Sequence, residues 1–368
     1  MDPFAERRIG RTELRLPTLG FGGATLGDAG GPIPEARALA TVEAACQERI
    51  RYFDTSPWYG NGKSELRFGA ALRGRPRESF RLSTKVGRVY ARSADPSHPA
   101  RLRWAGGLPF EPRFDYTRDG VGRSYEQSLL RLGLATVDAL VIHDIDEGHQ
   151  SGPDGVARRL DELERGGGFE ALAELKARGE IGAIGAGVNR LGMIPRFLER
   201  FPVDFFLVAM PYTLVSQDAA ETEFPLCLEH GASVVIGAPF ASGILATGAV
   251  AGASFGYKPA DEGVAGTVAR IAAVCARHGV PLGAAALQFP LGHPAVVSVI
   301  PGPNSPEQVR TNLDWMRHRI PPDLWRELKH ERLIRSDAPV PDERPRETGA
   351  GQLNDISGGS SWTRHAAM

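Results

Sequence analysis

Short apolar runs alternate with amphipathic segments along most of this chain, and that alternation restricts the folds open to it. The runs cover residues 19–23, 50–54, 80–85, 137–143, 181–186, 204–208, 232–236 and 296–300. Each is rich in branched or aromatic side chains and bounded by turn residues, so each reads as a buried strand. Helical patterns lie between them, at 34–48, 64–72, 119–132, 169–178, 191–201, a segment ending near His230, 264–278 and, briefly, 282–289. Within 119–132, Val121, Tyr125, Ser128, Leu129 and Leu132 share one face. Ser305-Pro306-Glu307 opens what reads as the last regular helix, 305–317. Strands that alternate with helices pair in parallel. Eight such units in 368 residues favour closure into a (β/α)8 barrel, an α/β fold, over an open sheet.

Three segments stand outside the rhythm. Residues 7–18 read as an N-terminal hairpin turning at Gly10-Arg11-Thr12. Residues 87–118 read as a long loop carrying Tyr90, Trp104, Phe114 and other aromatics, a composition that favours a functional loop. From Ser336 the chain turns polar and rich in Pro, Gly and Arg. Residues 1–335 are therefore expected to form the barrel. Residues 336–368 are expected to be a loosely ordered tail over its mouth, not a separate domain.

Composition excludes several function classes. The charges nearly balance, for a net of −1, with no long single-sign block, so no nucleic-acid surface is expected. Cys46, Cys227 and Cys275 are scattered, without a CxxC pair, which argues against a disulfide framework or zinc site. No run is long and apolar enough for a membrane span, and the first residues lack the apolar core of a signal peptide. A cytoplasmic protein acting on small molecules is expected, with the oligomeric state open.

Four residues sit at or just beyond expected strand ends: Asp54, Tyr59, Lys85 and His143. In a parallel barrel, strand ends meet on one face. Singly, each residue has a plain role: Asp54 as a turn cap, Tyr59 as packing, Lys85 as a surface charge, His143 as a core histidine. Together they make a proton donor of tuned strength. A tyrosine has an ordinary pKa of about 10. A nearby ammonium stabilises its phenolate, and a carboxylate keeps that ammonium charged and placed. A histidine can steer a substrate oxygen by a hydrogen bond. Such a set serves hydride exchange between a nicotinamide and a carbonyl or alcohol. Lys85 as a Schiff-base lysine is a weaker alternative, given Tyr59 and Asp54. Gly60-Asn61-Gly62-Lys63-Ser64 lacks the first glycine of a phosphate loop, and 185–190 lacks the last glycine of a dinucleotide fingerprint.

The chain resembles the aldo-keto reductase family. The resemblance rests on Leu19-Gly20-Phe21-Gly22, Phe53-Asp54-Thr55-Ser56, Tyr59-Gly60 with Ser64-Glu65, and Ser83-Thr84-Lys85. It continues through Leu130-Arg131-Leu132-Gly133, Val141-Ile142-His143, Gly187-Val188-Asn189 and Ile300-Pro301-Gly302 with Asn312-Leu313. It spans about 8–316 and implies the (β/α)8 barrel, an extended NAD(H) or NADP(H), and neither Rossmann domain nor metal. It implies Tyr59 as acid and base, Lys85 and Asp54 as its tuners, and His143 as substrate orienter. Cofactor contacts carry over to Gly22, Asp54, Asn189, Phe240, Ser242, Gly243, Leu245, Gly302, Gln308 and Asn312. Arg190, Ala209 and Gly237 depart from the family pattern. Gly237 stands where a tyrosine commonly stacks on the nicotinamide, leaving Phe240 or Tyr212 as substitutes. Gly302, Pro303 and Gln308 stand where NADP-preferring members carry a lysine and an arginine. NAD is therefore favoured, with Arg310 as a residual contact.

His143-Asp144-Ile145-Asp146, Phe114-Asp115-Tyr116 and 239–245 resemble the family's sugar and pyridoxal dehydrogenase branch. That implies oxidation of an aldose at C1 or of a related alcohol. Trp58, Tyr90, Trp104, Phe114, His143 and Asp144 are the candidate substrate contacts; for the aromatics, loop packing stands as an equal alternative, and for Asp144 turn capping. General NADPH-dependent aldehyde reduction, or a non-catalytic cofactor-binding regulatory subunit, are the competing functions.

Overall fold

The computed structural model describes residues 1–95, 104–256 and 258–341. Its strands, in chain order, are β1 (Glu6–Arg8), β2 (Arg15–Pro17), β3 (Phe21–Gly22), β4 (Tyr52–Asp54), β5 (Arg81–Val86), β6 (Arg88–Arg92) and β7 (Phe110–Phe114). There follow β8 (Ala139–Ile142), β9 (Ala183–Val188), β10 (Phe205–Val208), β11 (Ser233–Ile236), β12 (Ser254–Phe255), β13 (Lys258–Pro259) and β14 (Val296–Val299). The large sheet runs β3-β4-β5-β8-β9-β10-β11-β14, parallel throughout. Leu19 bridges Val299 in parallel, and the Gly20 and Gly22 N–H groups donate to the carbonyls of Val299 and Pro301, each at 2.9 Å. Those bonds close the sheet into a barrel, as the eightfold alternation predicts.

Side-chain parity separates two cores. Tyr52, Ala139, Val141, Ala183, Phe205, Leu207, Val235, Val297 and Ile300 point inward and pack with Ile9 and Leu16 of the β1–β2 hairpin. Their neighbours Phe53, Leu82, Leu140, Ile142, Ile184 and Phe206 point outward onto the helices. The interior is crowded enough that a Cβ at Gly185 would lie 2.6 Å from the Phe205 ring. The same parity sends Asp54, Ser83 and Lys85 inward and Thr84 outward.

Besides the short antiparallel pair β12–β13, the structure departs from the sequence expectation at four places. The loop 87–118 contains a hairpin: β6 and β7 pair antiparallel from Arg88↔Phe114 to Arg92↔Phe110. Charged side chains and Pro112 hide any apolar alternation there. Residues 96–103 of that loop lie outside the described residues. A helix at Pro153–Arg165 was not expected; it buries Gly155, Val156, Leu160 and Leu163 along one stripe of a largely charged surface. Helix Pro306–Arg317 is not the last, because Pro322–His330 follows and buries Leu324, Trp325 and Leu328. The expected tail begins ordered: Ala338 and Val340 are buried, the latter against Gly292 in the turn before β14. Residues 342–368 lie outside the described residues, so the expected path over the mouth falls there.

Candidate active site

Adjacent strands bring the first charge pair together. Asp54 ends β4, and its register partner on β5 is Ser83, two residues before Lys85. Both charged side chains are almost fully buried. The Lys85 ammonium donates to Asp54 Oδ2 at 2.6 Å and to the Thr55 carbonyl at 2.7 Å. Ser83 Oγ donates to the other Asp54 oxygen at 2.7 Å and is itself 3.0 Å from the Tyr52 hydroxyl. Every polar atom of this pair is therefore served, as burial requires. Burial pushes the Asp54 carboxyl up, against the pull of Lys85 and Ser83.

Tyr59 enters from the loop after β4. The Tyr59 N–H donates to Ser56 O at 3.1 Å, and Gly27 packs so closely beneath that a Cβ there would lie 2.4 Å from the Tyr59 carbonyl carbon. This backbone clamp holds the phenol ring over the pair, with Lys85 Nζ 4.7 Å from the ring centroid. The His143 ring stands nearly perpendicular to it at 6.0 Å, and Trp104 lies edge-on at 6.0 Å. All four predicted residues thus meet at the ends of β4, β5 and β8.

His143 follows β8, with its backbone carbonyl accepting from the Tyr116 hydroxyl at 2.5 Å. Its Nδ1 lies 3.1 Å from Ser56 Oγ and 3.3 Å from Arg88 Nη1. Its Nε2 lies 3.4 Å from Asp144 Oδ1. Burial first, then Arg88 and Lys85, hold this imidazole well below its ordinary pKa, with Asp144 opposing. Asp144 adopts a left-handed backbone (φ 57°) and pairs with Arg88 at 2.8 Å. Although burial disfavours its charge, His143 and Arg88 hold it below the usual carboxylate range.

The aromatics divide into two groups. Trp58 and Trp104 contact each other edge-on at 5.6 Å beside Tyr59. Phe114 packs on Arg88 at 4.4 Å and stacks on Tyr116, while the Tyr90 hydroxyl donates to Pro57 O at 2.8 Å. Trp104 Nε1 and Asn61 Oδ1 are buried without a hydrogen-bond partner among the described residues.

The candidate cofactor positions lie on the same face. Gly22 pairs with Asp54 across β3 and β4. A Cβ at Gly302 would lie 3.2 Å from both Gly22 O and the Thr25 Cγ2 methyl, so a glycine is needed at that edge. Ala241, Ser242 and Gly243 adopt three successive left-handed conformations between Phe240 and Leu245. The Ala241 and Gly243 N–H groups close tight turns on the Ala238 and Phe240 carbonyls, at 3.0 and 2.8 Å. The side-chain-free positions Gly22, Gly243 and Gly302 fit the close approach of an extended dinucleotide. Phe240 lies edge-on to Trp315 at 5.5 Å. Tyr212 is committed to the core, stacked on Phe289 and edge-on to His293. The Asn189 amide donates to Asp146 at 3.1 Å and Asp144 at 3.3 Å. Gln308 accepts from the Asn304 N–H at 2.8 Å, Asn312 is buried, and Arg310 pairs with Glu48 at 3.4 Å. Asp144, Asp146 and His149 bring donor atoms within 4.8 Å of one another. Arg88 and the Asn189 amide already engage those carboxylates, so the group is a charge network.

Arg88, Ser56, Ser83 and Tyr116 are site residues that sequence reasoning did not assign. Ser56 and Ser83 lay inside motifs already noted. Arg88 carried no signal, because an arginine in a polar loop reads as solvated.

A family model, the aldo/keto reductase family, matches residues 18–331. The chain belongs to this family. Pyridoxal 4-dehydrogenase of Microbacterium luteolum is 40% identical over 337 residues, 89% of this chain and 98% of that one. D-threo-aldose 1-dehydrogenase of a Pseudomonas species is 36% identical over 332 residues, 87% of this chain and 95% of that one. Among solved structures, an aldo-keto reductase of Bacillus halodurans in its holo form superposes with a TM-score of 0.67. It is 25% identical and covers 92% of this chain and 99% of its own. This aldo-keto reductase is therefore an oxidoreductase that uses a nicotinamide cofactor and a small-molecule substrate. Among the described residues no helix is long and apolar enough to cross a membrane.

Proposed function

We propose that this aldo-keto reductase oxidises the C1 hydroxyl of an aldose, or a related alcohol of the pyridoxal type, with NAD favoured over NADP. The observation that carries the chemistry is the buried Lys85–Asp54 pair, 2.6 Å apart, with its ammonium 4.7 Å from the Tyr59 ring centre. The nicotinamide, when bound, accepts or returns the hydride. Tyr59 takes the proton from the alcohol oxygen, and returns it when a carbonyl is reduced. Lys85 stabilises the phenolate that this requires. Asp54, held by Ser83, fixes the ammonium in place. His143 donates from Nε2 to the substrate oxygen and orients it. Trp58 and Trp104 wall the substrate beside Tyr59. Gly22, Asn189, Phe240, Ser242, Gly243, Leu245, Gly302, Gln308 and Asn312 line the cofactor path. The substrate class follows the two dehydrogenases similar over most of the chain. The NAD preference follows from Gly302 and Gln308 lacking charge, and from Arg310 being paired with Glu48.

The test is a spectrophotometric screen with NAD+ and NADP+ against L-fucose, L-galactose, D-arabinose, pyridoxal and simple alcohols, run beside Tyr59→Phe. Tyr59→Phe is expected to lower turnover by roughly 10²–10⁴-fold while leaving cofactor affinity nearly unchanged. Undiminished turnover would remove Tyr59 from the reaction. Tighter calorimetric binding of NADPH than NADH would overturn the cofactor preference. Cofactor binding without turnover on any substrate would favour a regulatory subunit.

A further inference from the structure

Arg88 lies in β6, the strand of the unexpected hairpin, and is 4% exposed. Its guanidinium is held between the rings of Trp58 and Phe114, at 4.5 and 4.4 Å from their centroids. The antiparallel register places Phe114 directly opposite it. A single nitrogen, Nη1, lies 2.8 Å from Asp144 Oδ2 and 3.3 Å from His143 Nδ1. A guanidinium has donors only. A ring nitrogen facing it must accept, and Ser56 Oγ at 3.1 Å can donate to the same atom.

We propose that Arg88 is a positioning residue that holds His143 as the neutral imidazole with its proton on Nε2, and that keeps Asp144 from charging it. This rests on the reading of His143 as the orienter of the substrate oxygen. The groups facing the imidazole are the Tyr59 ring, Lys85, Arg88, Asp144 and His149. Asp144 alone would draw a proton onto the ring and occupy the Nε2 proton. With Arg88 paired to it, Asp144 Oδ1 stays 3.4 Å from Nε2, longer than a good hydrogen bond. The Nε2 proton then remains available to substrate. Gln150 secures the other side of the device by donating to the Asp144 carbonyl at 2.8 Å, beneath its left-handed backbone. A lysine would supply the charge without the flat fork that fits between two rings.

The experiment is two-bond 1H–15N correlation spectroscopy of 15N-labelled protein across about pH 8 to 5, with His143→Gln used to assign the signal. Wild type is expected to show a neutral His143 with Nε2 protonated across this window. In Arg88→Met the unpaired Asp144 is expected to raise the titration of His143 by ~1 pH unit or more, since an opposite charge within about 4–6 Å favours the charged form. Arg88→Met with Asp144→Asn removes both charges and is expected to return the titration toward wild type. A purely structural role would leave the double variant no better than the single one. A wild-type Nδ1–H tautomer, an imidazolium at neutral pH, or an unmoved titration in folded Arg88→Met would each overturn the proposal. The wild-type tautomer still tests it if Arg88→Met does not fold. The readout does not depend on turnover, so failure of the Tyr59 experiment and failure of this one are distinguishable.

Discussion

Replacing Lys85 with methionine isolates the electrostatic core of the proposed mechanism. The Lys85 ammonium stands 4.7 Å from the Tyr59 ring centre. At about 5 Å and an effective dielectric of about 20, a unit charge is worth roughly 3 kcal/mol, or a little over two pKa units. Asp54, 2.6 Å from that ammonium, cancels part of the field. The net loss is therefore about one to two units. Methionine fills much of the same volume. Asp54, whose carboxyl burial already pushes up, takes a proton when its cation is gone. No new anion then faces Tyr59, and the stability loss lies near or below the low end of the ~3–5 kcal/mol typical of a broken buried pair. The assay is turnover in alcohol oxidation with NAD+ as a function of pH, with circular dichroism to verify the fold. The pH at which turnover rises is expected to move up by about one to two units, with a loss of roughly 10²–10⁴-fold near neutrality. A folded Lys85→Met protein whose profile stays in place would refute the claim that this ammonium tunes the phenol.

Two histidines are expected to act oppositely on stability. His143 is held well below 6.5, so its contribution is present above that value and lost as the unfolded chain takes up a proton below it. For His149 burial works against the charge, but Asp146 and Asp144 outweigh it and raise its pKa, so its contribution is present at acid pH and lost as pH rises through the folded value. Melting His143→Gln and His149→Gln from about pH 8 to about pH 5 is expected to give a flatter acid decline for the first and a steeper one for the second; matching slopes would contradict both assignments. Arg67 is 1% exposed and donates to Asp28 at 2.9 Å, to Glu35 at 2.9 Å, and to the carbonyls of Leu26 and Ile33 at 2.7 and 2.8 Å. Arg67→Met is expected to cost about 3 kcal/mol by urea denaturation, because buried acceptors lose their donors; a loss below ~1 kcal/mol would remove it as a structural hub.

The strand residues that were legible share one property, that their placement follows from periodicity, whereas Tyr59 on the loop after β4 was legible only from its motif. Parity in β4 and β5 sends Tyr52 and Asp54, then Ser83 and Lys85, to one side of the sheet, so a parallel pairing brings Asp54 and Lys85 together. The missed elements lack that signal. The helix Pro153–Arg165 buries a narrow stripe, and β6–β7 pairs strands that face few apolar neighbours. Arg88 was invisible for a stronger reason. Its burial comes from Trp58 in another loop, Phe114 across a hairpin and Asp144 after β8.

The one-dimensional pattern determined the barrel, the inward-facing set and the four residue types that converge at its strand ends, because periodic burial is written in which positions are apolar. Tertiary structure alone decided what each charge faces. The strength of a buried charge depends on separation and desolvation, and those are settled between segments dozens of residues apart. Hence an arginine of the β6–β7 hairpin came to lie against His143, and Asn189 came to lie against Asp144 and Asp146.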